Sequence, residues 1–250
     1  MVITPTECPS NGLDTDSQSI DLRPLGYQDL LLYSHELASV DNPIARFNID
    51  FKWFRQYVPN WKSINIVDLE YVMFRWKLNS ISPDSEFNIK LKCPTCNHTE
   101  DFSLDLSMLD KPKTIDFYLG GTVKLGNPES TYEYKCCSSE VFFDVLNKCT
   151  RSRRVTSIDT IKLISLFTDF KSNPNLIERL VLDAKYDDVR VLESLKALYL
   201  NTRIKLRINC PKCNGGDWSM RASSLIDDPF LVMVQSEKSI ESKIAVKQIR

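Results

Sequence analysis

Two pairs of cysteines, each pair split by two residues, constrain this 250-residue chain more than any other feature. Cys93 and Cys96 lie in "IKLKCPTCNHTEDFSLDL", residues 89–106, and Cys210 and Cys213 in "RIKLRINCPKCNGGDWSM", residues 203–220. Each CPxC unit is flanked by alternating apolar and polar residues, the period of half-buried strands. Two residues between cysteines let one tight turn aim both sulfurs, and often backbone amides, at one ion. Pro94 and Pro211 stiffen the turn, and Asn97 or the Asn214-Gly215-Gly216 run accepts the left-handed conformations that end it. Two such knuckles facing each other supply the four soft ligands of a tetrahedral zinc site, at about 2.3 Å from the metal. The expectation is therefore one structural zinc held by Cys93, Cys96, Cys210 and Cys213, closing a loop of more than a hundred residues.

Two other readings compete with it. CPxC also serves thiol–disulfide exchange, which needs the first cysteine at a helix N-terminus, where the dipole lowers its pKa. Strand-like flanks and the lack of a preceding βαβ pattern speak against that. The plainer alternative leaves the thiols reduced and unliganded in turns. Of the remaining cysteines, adjacent Cys136 and Cys137 diverge too much to ligate one ion and read, like Cys8 and Cys149, as core or surface thiols.

Composition narrows the function classes. A hydrophobic fraction of 42% and a charged fraction of 26% are ordinary for a globular chain, one long enough to bury a core without help from a metal. Basic and acidic residues nearly balance, 32 against 33, whereas a dedicated nucleic-acid binder shows a basic excess or stripe. No apolar run approaches the roughly 20 residues that cross a bilayer. The opening "MVITPTECPSNGLDTDSQ" lacks the basic-then-apolar pattern of a secretory signal, so a reducing, cytosolic setting is expected, with thiols rather than disulfides.

Catalytic signatures are scarce. Of the two histidines, His35 lies in a helical stretch beside Glu36, and His98, just after the first knuckle, reads as a solvent-facing turn residue, although it could also support the metal site. GxSxG, HExxH and phosphate-cradling glycine loops are absent from the sequence. Asp187-Asp188 fits a helix N-terminus, where the dipole accounts for it. The basic run "KCTRSRR", 148–154, reads as a solvated interhelical loop, and Phe51, Trp53, Phe54, Tyr57 and Trp61 as core. No catalytic residue is assigned.

Along the chain, residues 1–19 are polar and read as a disordered lead-in. Residues 20–112 form an N-terminal helical half carrying the first CPxC hairpin. Helices are expected from Tyr27 to Leu37, after Pro43 through the aromatic-rich "IARFNIDFKWFRQYV", and over "NIVDLEYVMFRWKLN". The last is apolar nearly all round and starts at an Asn65 cap with Asp68 three residues on. Residues 113–232 hold a β-hairpin, "TIDFYLGGTVKLG", expected to turn at Gly120-Gly121. Further helices follow over "SSEVFFDVLNKC" with a Ser139 cap, "TSIDTIKLISLFTDF", "NPNLIERLVLDAKY" and "DDVRVLESLKALYLN", then the second CPxC hairpin. Residues 233–250 read as a flexible tail, with Ile240 and Ile244 at helical spacing for a partner. Asn97 and Asn214 follow the two knuckles, and Asp110 and Asp227 each come 14 residues after a second cysteine. The expected fold is α+β, mainly helical, with two pseudo-repeated helical halves each ending in a CPxC β-hairpin and joined as a zinc ribbon.

"LRPLGYQDLLLYS", "IVDLEYVMFRWKLNSIS" leading into "FNIKLKCPTCNHTEDFSLDLSML", and "RINCPKCNGGDWSMRASSLIDDPFL" resemble the baseplate hub assembly proteins of contractile-tailed, T-even-type bacteriophages. The resemblance spans roughly residues 20–232. It implies a non-enzymatic role in the host cytoplasm or the tail baseplate: helping hub and central-spike proteins associate, as a transient chaperone or a retained component. Nucleic acid and membrane are not among the implied partners. Only the four CPxC cysteines carry over as functional positions. The runner-up class is a zinc-ribbon nucleic-acid-binding regulator, which the neutral charge disfavours.

Overall fold

The computed structural model describes residues 1–10, 12, 19–81, 86–93, 95–105, 120–126, 129–152, 154–155, 157–200, 205–206, 210–214 and 220–221. They form a mainly helical α+β protein. In order, these are β1 (Val2–Ile3), β2 (Ile20–Asp21), α1 (Tyr27–Ala38), α2 (Pro43–Tyr57), α3 (Ile66–Ile81), β3 (Glu86–Lys92) and β4 (Thr99–Asp105). Then come β5 (Gly120–Leu125), β6 (Ser130–Lys135), α4 (Ser139–Ser152), α5 (Ile158–Ser165), α6 (Pro174–Leu182), α7 (Tyr186–Leu200), β7 (Lys205–Leu206) and β8 (Met220–Arg221). Among the described residues the strands pair as antiparallel couples: β1 with β2, β3 with β4, β5 with β6 and β7 with β8.

Local chemistry explains the helix starts. Asn42 accepts hydrogen bonds from the amides of Ile44 (2.8 Å) and Ala45 (3.3 Å), and Pro43 occupies the first turn of α2, where its missing N–H costs nothing. Pro174 does the same in α6. Asn65 accepts from the Val67 amide at the head of α3. α3 buries residues on every side, among them Val67, Leu69, Val72, Phe74 and Trp76, and is the central helix. Trp76 is fully buried, donates its indole N–H to the Arg23 carbonyl (3.1 Å), and packs on Tyr33 and Phe54 with centroids 6.0 and 5.7 Å away. Burial of each such ring contributes about 1.5–3 kcal/mol before ordering costs.

The two helical stretches share one core. Phe142 of α4 lies 5.8 Å from Phe47 and 6.1 Å from Phe51 of α2, and backbone bonds run from Ile66 to Cys137 (2.9 Å) and from Ser139 to Ile64 (2.7 Å). Two charge networks cross the helices, the first buried and the second reaching the surface at Glu70. Asp50 of α2 accepts from the Tyr33 hydroxyl of α1 (2.5 Å) and the Lys77 ammonium of α3 (2.6 Å), and Lys162 of α5 pairs with Glu70 of α3.

Five expectations need correction. The lead-in is ordered over residues 1–10: β1 pairs with β2, Ile3 and Cys8 are buried, and Ser10 donates both its amide (2.7 Å) and its hydroxyl (2.5 Å) to the Asp68 carboxylate. A few anchors outweigh a polar composition. The β5–β6 hairpin reverses after Leu125, where Gly126 has φ 90°, and not at Gly120-Gly121. A Cβ on Gly120 would lie 2.6 Å from the Tyr134 carbonyl oxygen and one on Gly121 2.8 Å from the Tyr134 hydroxyl, so these glycines admit the neighbouring strand. Ser139 does not cap α4. Its hydroxyl goes to the Ile64 carbonyl, and Ser138 receives the Val141 amide (3.5 Å). Helix α5 stops at Ser165 because β6 takes the following backbone, with Lys135 donating to Leu166 (2.7 Å) and Tyr134 bridging Phe167. The basic run 148–154 is for the most part the last turn of α4, and its Arg154 faces Glu178 and Asp183. The tail 233–250, Asp110 and Asp227 lie outside the described residues.

Candidate metal centre

The first knuckle is set by its strands. The β3–β4 ladder closes at Lys92 opposite Thr99. The Cys93 amide then donates to the His98 carbonyl (2.7 Å), and the Asn97 amide back to the Cys93 carbonyl (2.9 Å). Asn97 ends the turn at φ 56°. The second knuckle repeats the device: Asn214 donates to the Cys210 carbonyl at 2.9 Å and sits at φ 52°. These two asparagines are the only non-glycine residues at positive φ among the described residues. Asparagine tolerates that left-handed region, and here it turns the chain so that both thiols of a unit face one side.

The two units meet. Cys93 Sγ lies 3.8 Å from Cys213 Sγ and Cys96 Sγ 3.7 Å from Cys210 Sγ, and all four sulfurs fall within 4.8 Å of one another. A tetrahedron of sulfurs about 2.3 Å from a central ion has edges of about 3.8 Å, so these separations fit a metal-sized centre. They are far too long for a disulfide, whose sulfurs sit about 2.05 Å apart, and none of the eight cysteines is disulfide-bonded. Cys93 and Cys210 are buried, Cys96 is half-buried and Cys213 is exposed, so the centre opens to solvent on one side.

Electrostatics favour thiolate at the inner corner. Burial alone would push the Cys93 thiol up, but the amides of Cys96 and Thr95 and the thiols of Cys96 and Cys210 all donate toward it. Together they hold it below its ordinary value of 9.0. A thiolate is the form that ligates a metal. The four cysteines therefore lie close enough to bind one metal ion. The redox alternative asks for a cysteine at a helix N-terminus, whereas Cys93 follows strand β3 and no described helix begins at either knuckle.

The other sequence candidates lie elsewhere. His98 contributes its carbonyl to the knuckle, while its ring Nε2 faces the Glu100 carboxylate at 3.5 Å. His35 is exposed on α1. Cys8, Cys136 and Cys149 are buried and Cys137 half-buried, none beside the four-sulfur cluster. Asp187 and Asp188 occupy the first turn of α7, and Asp188 also accepts the Gly126 amide (3.2 Å), tying the hairpin to the helix. A feature the sequence did not announce is a cleft of about 860 Å³ beside α4, with Lys135, Lys148 and Lys171 among its lining residues. They come from three separate elements, so no local pattern marks them.

No protein family, curated protein or solved structure matches the chain.

Proposed function

We propose that this chain is a non-enzymatic, chaperone-like assembly factor or minor component of the baseplate hub of a contractile-tailed bacteriophage, with a structural zinc ion at the four-cysteine centre. The observation that carries the structural half of this reading is the convergence of Cys93, Cys96, Cys210 and Cys213 from knuckles 114 positions apart. An all-thiolate tetrahedral set with no open corner is the donor chemistry of structural zinc, and it suits neither a hydrolytic site nor a hard cation. The matched turns, each closed by a left-handed asparagine, support the reading of the knuckles as a pseudo-repeat that forms a zinc ribbon. The ribbon would fasten residues 210–214 to a core that the helices already share.

The biological half rests on the sequence resemblance of residues 20–232. On that reading, hub and central-spike proteins are the partners, and catalysis of assembly means holding them in a productive arrangement, without covalent chemistry. The setting is the host cytoplasm during assembly, or the baseplate itself. Near-neutral charge is consistent with a protein partner rather than nucleic acid.

Quantitative mass spectrometry of purified phage particles beside infected-cell lysate tests this. Abundance in lysate with absence from particles identifies a departing factor, and a fixed small copy number in particles a retained component. Detection in neither would reject the assignment.

A further inference from the structure

The cleft beside α4 is built like a receptor for a peptide. One face of α4 lines it with Val141, Asp144, Val145 and Lys148, spaced as neighbours along a helix, and the segment after α5 forms the opposite wall. Its floor is closed by core side chains, Val145, Leu166 and Phe170 each being no more than 3% exposed, and the apolar surface it offers comes from the partly exposed Val141 and Cys137. Lys135 and Lys171 add exposed ammonium groups, and Lys148 holds its own over the Phe170 ring at 5.4 Å.

None of these three lysines has an ion-pair partner among the described residues, whereas Lys52, Lys62, Lys77 and Lys162 each pair with a carboxylate. Asp144 is the one acidic side chain in the lining. A cleft with two more positive than negative groups, on a chain of net charge −1, is a local concentration of cations. Its low-dielectric walls focus that field on whatever enters.

The chemistry discriminates between anions. Phosphate sites built on lysines commonly add convergent backbone amides from a helix start or a glycine-rich turn. Here the α4 start is already satisfied: Ser138 takes the Val141 amide on its hydroxyl and the Phe142 amide on its carbonyl (3.0 Å). Three flexible point charges around an apolar floor match carboxylates flanking a buried apolar side chain. We infer that this cleft binds an acidic segment of a partner protein, an apolar residue seated against Val141 and Cys137, with Asp or Glu side chains reaching Lys135, Lys148 and Lys171. The inference does not depend on the metal centre or on the partner's belonging to a baseplate.

The test is fluorescence anisotropy of the full chain with labelled decapeptides carrying three or four Asp/Glu residues around a central Leu-Phe pair. Peptides with Asn and Gln in place of the acids, and inorganic pyrophosphate, serve as comparators. The acidic peptides should bind, and binding should weaken as salt rises from about 0.05 to 0.5 M. The exposed-lysine variant K135E/K148E/K171E should keep its circular dichroism and melting temperature. Its affinity should drop by about tenfold or more, since each rim pair contributes up to a few-fold and reversal turns attraction into repulsion. Val141→Asn, at a partly exposed lining position, should keep the circular dichroism and weaken binding with the lysines intact, which separates the apolar contact from charge alone. Absence of peptide binding, equal binding of the neutral peptides, insensitivity to the triple reversal, or pyrophosphate binding at these lysines without peptide binding would each overturn the proposal.

Discussion

Asp50 offers the sharpest test of how the helices are held together. Its carboxylate joins α1, α2 and α3 by accepting from Tyr33 (2.5 Å) and Lys77 (2.6 Å), and the Asp50 and Lys77 side chains are only 16% and 9% exposed. At that burial, removing one partner strands the other charge. Asp50→Ala leaves the Lys77 ammonium with no acceptor among the described residues and should cost about 3–5 kcal/mol. That is a large share of the roughly 5–15 kcal/mol that holds a domain folded. Lys77→Met leaves Asp50 one remaining donor, the Tyr33 hydroxyl, and should cost about 1–3 kcal/mol. Replacing both, as Asp50→Leu with Lys77→Met, removes the desolvation burden along with the attraction. The double variant should return to within about 1.5 kcal/mol of the parent, or exceed it. Urea unfolding followed by far-ultraviolet circular dichroism and tryptophan fluorescence gives all three differences. An Asp50→Ala cost below about 1 kcal/mol would mean the pair is solvated. A double variant no better than Asp50→Ala would mean that shape, and not stranded charge, sets the loss.

Further consequences follow from the same geometry. Ser10→Ala deletes a buried hydroxyl bond to Asp68 and should lower stability by about 1.5–3 kcal/mol in the same urea assay; a change below about 0.5 kcal/mol would show the N-terminal segment undocked in solution. Gly120→Ala pushes a methyl against backbone and should cost about 1–3 kcal/mol. Gly121→Ala meets only the end of the Tyr134 side chain and should cost less, so a reversed order would refute the packing account. Burial raises Cys137 to about 11, with the Ser165 hydroxyl opposing it, and raises Cys149 to about 12, with Glu178 reinforcing it. Burial and then the bond to Asp29 push Tyr57 to about 12. The folded chain therefore holds these protons more tightly than the unfolded chain. The associated stability is complete below about pH 9 and drains as pH rises toward 12. Urea midpoints at about pH 8 and 10.5 should differ, and equal midpoints would contradict the burial of these groups.

Where a feature is local, the sequence reveals it. The knuckle is written in consecutive residues: two cysteines at fixed spacing, then an asparagine able to turn left-handed, between alternating arms. Asn42 and Pro43 likewise announce α2, and the all-round apolar character of 66–81 announces its burial. The meeting of Cys96 with Cys210 could be anticipated only through chemistry, because one knuckle offers two ligands and a tetrahedral site needs four. What stayed hidden depends on distant neighbours. Ser10 looks like part of a polar leader until Asp68 is placed beneath it. Gly120 and Gly121 look like turn residues, yet their role is to leave room for Tyr134. Lys135, Lys148 and Lys171 share no sequence pattern, since a hairpin end, a helix face and a turn bring them to one cleft.

The central claim is that four thiolates from two distant knuckles hold one metal ion. Its most direct test is metal analysis with X-ray absorption on the purified full chain, alongside Cys93→Ser/Cys210→Ser. The account predicts close to one zinc per chain, with sulfur-only coordination at about 2.3 Å, and loss of that metal in the double variant. A metal-free protein, a nitrogen- or oxygen-ligated ion, or undiminished zinc in the variant would contradict it.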